Sequence, residues 1–435
     1  MTKLRSKYIS LIVLLNLIVF YFLWSFQNFF YYLSFIIFLP FLFLKRINIR
    51  HIIFFLLFVF LFFLHFFFLS PQLFINQEKI LKIFFFLTIF LFVLLFKEYI
   101  LIEIKKLYYI FLGLLIVSIL INLFKFYNND LPFFSLLSGR ACTFNSFVTR
   151  DSFFFKENSH IGIVLSSLYL CILYKISITK KFAKIFFLCI GLILIFLNSS
   201  TTFYFALFIS CLFVFFTNLK IVESRFKYYL TFSCIFTLFV LVFDPSCSQR
   251  FKHLIPTFIL TKSSSQSVHI SEIDKKESDN KNLYSDLNNK TQHSNLNLTT
   301  QVYVKSIIIT FKSFIDYPLG SGFDSFSTIH QNYENDFELL NPDVQRYNKE
   351  DATSMFLKLI AEYGIFSIFL FYLIYKFATS KIIDLYIKLF FLPMIVSNFI
   401  RGTGYFKGGF LISVFIIFIL VYEKKINSII GRFIK

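Results

Sequence analysis

Long apolar runs separated by short charged clusters set the frame of this chain. A helix needs about 20 mainly apolar residues to cross a bilayer. The pattern predicts twelve spans, near 8–26, 29–44, 52–69, 80–96, 107–124, 161–178, 183–198, 202–217, 228–243, 357–376, 386–400 and 409–422. Lys3, Arg5 and Lys7 precede a first run too long for the apolar region of a signal peptide, so that run is expected to be a span.

The charged clusters occupy every second loop. One side collects Lys45, Arg46 and Arg50; Lys97, Lys105 and Lys106; Lys175, Lys180, Lys181 and Lys184; Lys220, Arg225 and Lys227; and Lys376, Lys381 and Lys388. Both ends of the chain add further lysines and arginines to that side. The opposite short connections, "SFQNFF", "SPQLFINQEK" and "NSSTT", carry little net charge. The positive-inside rule therefore predicts that both termini are cytoplasmic. The expected fold class is an all-α polytopic membrane protein of about 12 transmembrane helices, a single integral domain over 1–435.

Two outer segments are longer. Residues 125–160 form a moderate loop, and 244–355 a long one between the ninth and tenth spans. Within the latter, 262–300 is polar and nearly free of aromatics, so it cannot bury much apolar surface and is expected to be flexible. From about 302, "VYVKSIIITFKSFIDYPLGSGF" predicts an amphipathic helix lying on the membrane, followed by a Pro/Gly turn. No internal repeat of fixed period stands out.

Composition agrees. Hydrophobic residues make up 57% of the chain, against about 45–50% in soluble domains. The formal charge of +19 raises nucleic acid as a partner, but the basic residues recur between apolar runs rather than in one patch, so none is expected. Cys171, Cys189, Cys211 and Cys234 fall in predicted spans, where a small apolar packing role is expected. Cys142 and Cys247 fall in the outer loops, where an oxidising space would permit a disulfide between them. The cysteines lack metal-ligand spacing, and neither HExxH nor a phosphate-binding Gly-rich loop with Lys occurs, so no metal or cofactor is expected. "GSGFDS" (320–325) reads as a turn rather than a phosphate cradle.

Candidate chemistry gathers on the outer side. Arg140, Arg150, Arg250 and Arg401 all map there, against the usual preference of short loops. The guanidinium fork suits bidentate recognition of phosphate or carboxylate, and a salt bridge or lipid phosphate would equally engage any one of them. In "RDSFFFKENSHIG", Glu157 and His160 lie three apart and share a face if the helix begins near Phe155. "KEDATSMFLKLIAEYGIF" puts Glu350, Asp351 and Ser354 at the mouth of a span and Glu362 deeper, with Lys358 one turn earlier as a structural partner for it.

Taken in order, these segments resemble the O-antigen polymerase/ligase superfamily of bacterial envelope glycosyltransferases. "FFFKENSHIG" looks like its Glu-x-Ser-type segment ahead of a span, and "LNSSTTFYFALFIS" like its Ser/Thr-rich break between two spans. "FIDYPLGSGFDSF" looks like its PLG-x-G turn, and "ATSMFLKLIAEYGIFSIFLF" like its closing span with an E-x-G signature at Glu362 and Gly364. "RGTGYF" resembles the Arg and aromatic segment before the last span. The resemblance covers roughly 140–406. One departure matters: the family usually carries His-Asn before the closing span, where this chain reads "EDATS", which favours polymerase over ligase.

The resemblance implies a multi-pass enzyme of the bacterial inner membrane with its site facing the periplasm. Its substrate would be an undecaprenyl-pyrophosphate-linked oligosaccharide, polymerised one repeat unit at a time into O-antigen or a related polysaccharide. Membrane lipids and a chain-length regulator protein would be its partners. Glu157 and His160 are then the first candidates for a general base, with Asp351 and His330 behind them. Arg140, Arg150, Arg250 and Arg401, together with His330, would hold the substrate. Glu157 has an equal alternative, orienting one of the arginines. An exporter of lipid-linked oligosaccharide is the competing class, but its halves would mirror each other, which these do not.

Overall fold

The computed structural model describes residues 2–22, 49–68, 77–127, 158–197, 200–218, 224–243, 298–333, 349, 352–402, 404–406 and 409–433. Every regular element among them is a helix. In chain order these are α1 (Thr2–Phe22), α2 (Ile49–Phe68), α3 (Gln77–Tyr127), α4 (Asn158–Ile178), α5 (Phe182–Leu197), α6 (Thr201–Asn218) and α7 (Ser224–Phe243). Further along the chain come α8 (Leu298–Asp316), α9 (Phe326–Asn332), α10 (Met355–Tyr363), α11 (Ser367–Thr379), α12 (Leu385–Ile400) and α13 (Phe410–Phe433). Three helical stretches among the described residues are long and apolar enough to cross a membrane: Lys79–Gly113, Ser224–Phe243 and Met355–Thr379. Seven shorter apolar helices accompany them. The predicted span 29–44 lies outside the described residues.

Most predicted spans on the described residues coincide with a helix to within a few residues, with two exceptions, at α3 and at the closing span. The spans expected at 80–96 and 107–124 belong to a single continuous helix, α3. The charged stretch between them, "KEYILIEIKK", contains no Gly, Pro or cap residue, and its Lys, Glu, Leu and Ile all tolerate a helix. Its charges are accommodated on the helix itself, where Lys106 pairs with Glu103 one turn back at 2.8 Å.

The closing span is interrupted. A single 3-10 turn, Gly364–Phe366, separates α10 from α11. At the far end of α11, the Lys388 ammonium on α12 donates to the carbonyls of Ala378 (2.9 Å) and Ser380, closing that helix terminus.

Packing in the bundle is strongly aromatic. Phe58 stacks on Phe90 at 3.8 Å, and Phe62 and Phe86 both meet Phe323 from the outer segment, at 5.7 and 5.2 Å. Two contacts along α3 then define the ends of the bundle. Lys82 pairs with Asp324 at 2.6 Å and Lys105 with Asp384 at 3.9 Å. At 1.5 Å per residue the two lysines stand about 35 Å apart, close to one bilayer thickness. The turn that carries Asp324 and the α11–α12 connection therefore lie at opposite ends of a membrane-length stretch of α3.

Helices α4 and α12 run antiparallel. Ser166 meets Ser397 at 2.8 Å, while Lys175, nine residues on, lies over the ring of Tyr386, eleven residues back. The start of α4 and the end of α12 thus emerge together.

Candidate functional site

Three segments distant in sequence close on one another at the Lys82 end. The Pro/Gly turn after α8 docks on the 3-10 break of the closing span. Gly322 N–H donates to Glu362 O (2.9 Å), Ser321 N–H to Ala361 O (3.3 Å) and Ile365 N–H to Pro318 O (2.9 Å). Such close backbone approach needs residues without Cβ. Gly320 (φ 95°) and Gly364 (φ 54°) both occupy the left-handed region, and a Cβ on either would strike the backbone of the other segment.

Glu362 is the keystone. Its side chain is fully buried and accepts from the N–H groups of Asp324 (2.8 Å) and Phe326 (3.1 Å) and from the Tyr405 hydroxyl. Lys358 stands 3.8 Å away, so the pairing expected from the sequence exists, though three hydrogen bonds surround the carboxylate more tightly. The "GSGFDS" turn does cradle an anion, and that anion is the chain's own carboxylate. The Tyr405 ring also stacks on Phe323 at 4.9 Å, which ties "RGTGYF" to the same point.

Asp324 lies between Lys82 (2.6 Å) and Lys358 (3.0 Å). Burial pushes its carboxyl upward, but Lys358 and Lys82 outweigh that and hold it down at about 2, so it stays ionised. Two lysines face two carboxylates here, which makes the group self-neutralising. Its first role is to lock the turn, the closing span and α3 together.

Beside this cluster the chain entering α10 is strained. Ala352 (φ 52°) and Thr353 (φ 58°) are consecutive non-glycine residues in the left-handed region, a conformation that costs roughly 1–3 kcal/mol at each residue. They are held by Gly402 N–H donating to Thr353 O at 2.8 Å and by the Ser354 hydroxyl donating to Phe399 O. A Cβ at Gly402 would come within 2.6 Å of Met355 N, so nothing larger than glycine fits there. Arg401, the residue before it, caps α12, its N–H donating to Ser397 O at 2.8 Å.

Three of the sequence candidates fall on described residues. His160 is buried in the first turn of α4. Because α4 and α12 are antiparallel and Ser166 touches Ser397, His160 and Arg401 both lie beyond that contact at the same mouth. His330 is buried on α9, one turn after Phe326, whose N–H donates to Glu362 and which packs in a small core with Ile309, Ile329, Ala352, Leu357 and Ala361. Its ring packs edge-on to Phe326 at 6.5 Å. Glu157, Asp351, Arg140, Arg150 and Arg250 lie outside the described residues, as do Cys142 and Cys247.

Sequence reasoning missed Lys82, Asp324 and Tyr405. Lys82 falls inside the predicted span 80–96, and Asp324 belongs to the segment read as a turn. Among the described residues no group of three or more His, Cys, Asp or Glu side chains could hold a metal ion. The four described cysteines, Cys171, Cys189, Cys211 and Cys234, are free thiols on helices.

No protein-family description, no curated protein and no solved structure matches this chain.

Proposed function

We propose that the protein is a bacterial inner-membrane glycosyltransferase that polymerises undecaprenyl-pyrophosphate-linked oligosaccharide repeat units on the periplasmic face. One observation carries the reading. The three late segments that resemble the O-antigen polymerase/ligase superfamily, "PLGSGF", "EYG" and "RGTGYF", meet at Glu362, at the end of the bundle that also holds His160 and Arg401.

The chemistry asks for what that mouth offers. The acceptor hydroxyl oxygen bonds to the anomeric carbon of the donor glycan as the bond to pyrophosphate breaks, and undecaprenyl pyrophosphate leaves. A base must take the hydroxyl proton, a contribution of about 10²–10⁴-fold in rate. Glu157 and His160 are the groups we assign to it, with Asp351 next. Negative charge gathers on the departing pyrophosphate, and one well-aimed donor stabilises such charge by roughly 3–4 kcal/mol. Arg401 and, from the outer loops, Arg140, Arg150 and Arg250 take that role. The Glu362 cluster fixes the backbone that carries Arg401. A chain-length regulator would act on this enzyme as a separate protein.

The test is a gel of surface polysaccharide from wild type, a deletion strain and the deletion strain carrying variants. The deletion should leave single repeat units on the cell surface and remove the long-chain ladder. Arg401→Ala and His160→Ala should do the same at unchanged protein level. Complete loss of surface glycan would point to an exporter or a ligase. Intact long chains in Glu157→Ala, Arg250→Ala and Arg401→Ala alike would overturn the site assignment.

A further inference from the structure

The polarity of α8 is inside out. An amphipathic helix on a water-facing surface buries its apolar stripe and exposes its polar one. Part of α8 does the opposite, although Val302, Val304 and Ile309 share its buried face. Lys305 is 2%, Ser306 0%, Thr310 2% and Ser313 0% exposed, whereas Phe311 is 63% and Ile315 76% exposed. Leu319, one turn beyond the helix end, continues the exposed stripe at 44%. Two of the three buried hydroxyls turn back on their own helix: Ser306 donates to Val302 O (3.0 Å) and Thr310 to Ser306 O (2.8 Å). Hydroxyls satisfy themselves this way where water is absent.

What lies beside the stripe identifies its surroundings. Helix α8 runs alongside and parallel to α10, with Tyr303 beside Ser354 near their starts and Ile365 N–H donating to Pro318 O near their ends. The stripe therefore continues into Ile365, Phe366, Ile368 and Phe369, the outward face of the closing span. On its other flank the Leu319 carbonyl meets His65 Nε2 at 3.3 Å, at the end of α2, whose Phe60, Leu61 and Leu64 also face outward. Exposed apolar residues thus flank the turn on both α2 and α11. On α2 and α11 those residues belong to apolar helices of the bundle.

We propose that α8 lies against the bilayer with its apolar stripe toward the lipid and its polar face turned into the protein. Its Phe311–Ile315–Leu319 stripe meets the acyl chains of the bilayer, and its Lys305–Ser306–Thr310–Ser313 face turns into the protein. An ionisable side chain at such depth is expected to face the protein interior, as Lys305 does. Helix α8 is not apolar enough to cross alone, and one-sided lipid contact does not require it to be. The turn at Gly320 stands at the Lys82 end, so that the Asp324 cluster lies where bilayer and water meet. This holds whichever reaction the protein performs.

The chain has one tryptophan, Trp24, which permits a direct test. In a Trp24→Phe background, Ile315→Trp protein is reconstituted in vesicles with and without lipids brominated on the acyl chains. The expected result is blue-shifted emission, loss of intensity in brominated vesicles and no loss with aqueous iodide. Phe311→Trp reads the same stripe should Ile315→Trp fail to fold. Iodide quenching without bromine quenching would overturn the proposal and return α8 to the aqueous surface. Insensitivity to both quenchers would also overturn it, because another part of the chain would then cover the stripe.

Discussion

Glu362→Ala is expected to abolish accumulation of folded protein, whereas Glu362→Gln should retain a diminished but measurable folded fraction. The alanine removes the carboxylate that accepts from the N–H groups of Asp324 and Phe326 and from the Tyr405 hydroxyl, in a site closed to water. It also leaves Lys358 with Asp324 as its remaining carboxylate partner. Removing one member of a buried charged pair costs about 3–5 kcal/mol, and each stranded donor adds roughly 1–3 kcal/mol. Whole-domain stabilities are about 5–15 kcal/mol, so the sum reaches the scale of the fold itself. Glutamine keeps an amide oxygen for part of this set and should fall between. Size-exclusion of detergent-solubilised protein, followed by a thermal melt of the monodisperse fraction, measures both. An alanine variant that melts with the wild type would remove Glu362 from its central place.

Gly364→Ala is expected to be nearly as damaging, and Gly113→Ala to be harmless or slightly stabilising. At Gly364 the φ of 54° is unfavourable for any residue with a Cβ, and that Cβ would collide with the Pro318 carbonyl. The conformation alone costs roughly 1–2 kcal/mol, and forcing atoms into a packed junction typically adds about 1–3 kcal/mol. Relief would separate the turn from the closing span and loosen the backbone that carries Asp324. Gly113, within α3, has nothing within 4 Å of its Cβ position, and alanine favours a helix interior over glycine by about 1 kcal/mol. The pair of variants separates a demand for glycine at one junction from general intolerance of substitution. Their melting temperatures should move apart, with Gly364→Ala well below the wild type.

The helices were legible because apolar runs of membrane length have few alternatives. The junction inside α3 was not, since Lys97, Lys105 and Lys106 mark a membrane edge equally well on a loop or on a helix that continues past it. At the site, the Gly-rich turn, Glu362 and Gly364, and Arg401 were each visible as unusual residues in an apolar setting. Their meeting was not visible. Lys82 and Asp324 are 242 positions apart, and no local pattern links them. The expected Lys358–Glu362 pairing follows helical spacing and is present. The backbone donors that actually surround Glu362 leave no mark in the sequence beyond the glycines that let them approach. For α8 the sequence predicts an amphipathic helix lying on the membrane, and which of its faces meets the protein was not legible there. Periodicity shows that a helix is two-faced, but not which face meets protein and which meets lipid.

The central claim is that this protein joins lipid-linked glycans. Its most direct test is to incubate purified, reconstituted protein with synthetic undecaprenyl-pyrophosphate-linked repeat units and follow products by gel and mass spectrometry. The account predicts a ladder of lipid-linked glycans that lengthens by whole repeat units, with undecaprenyl pyrophosphate released at each addition and no ladder from Arg401→Ala. An unchanged population of single repeat units in the presence of folded wild-type protein would contradict it.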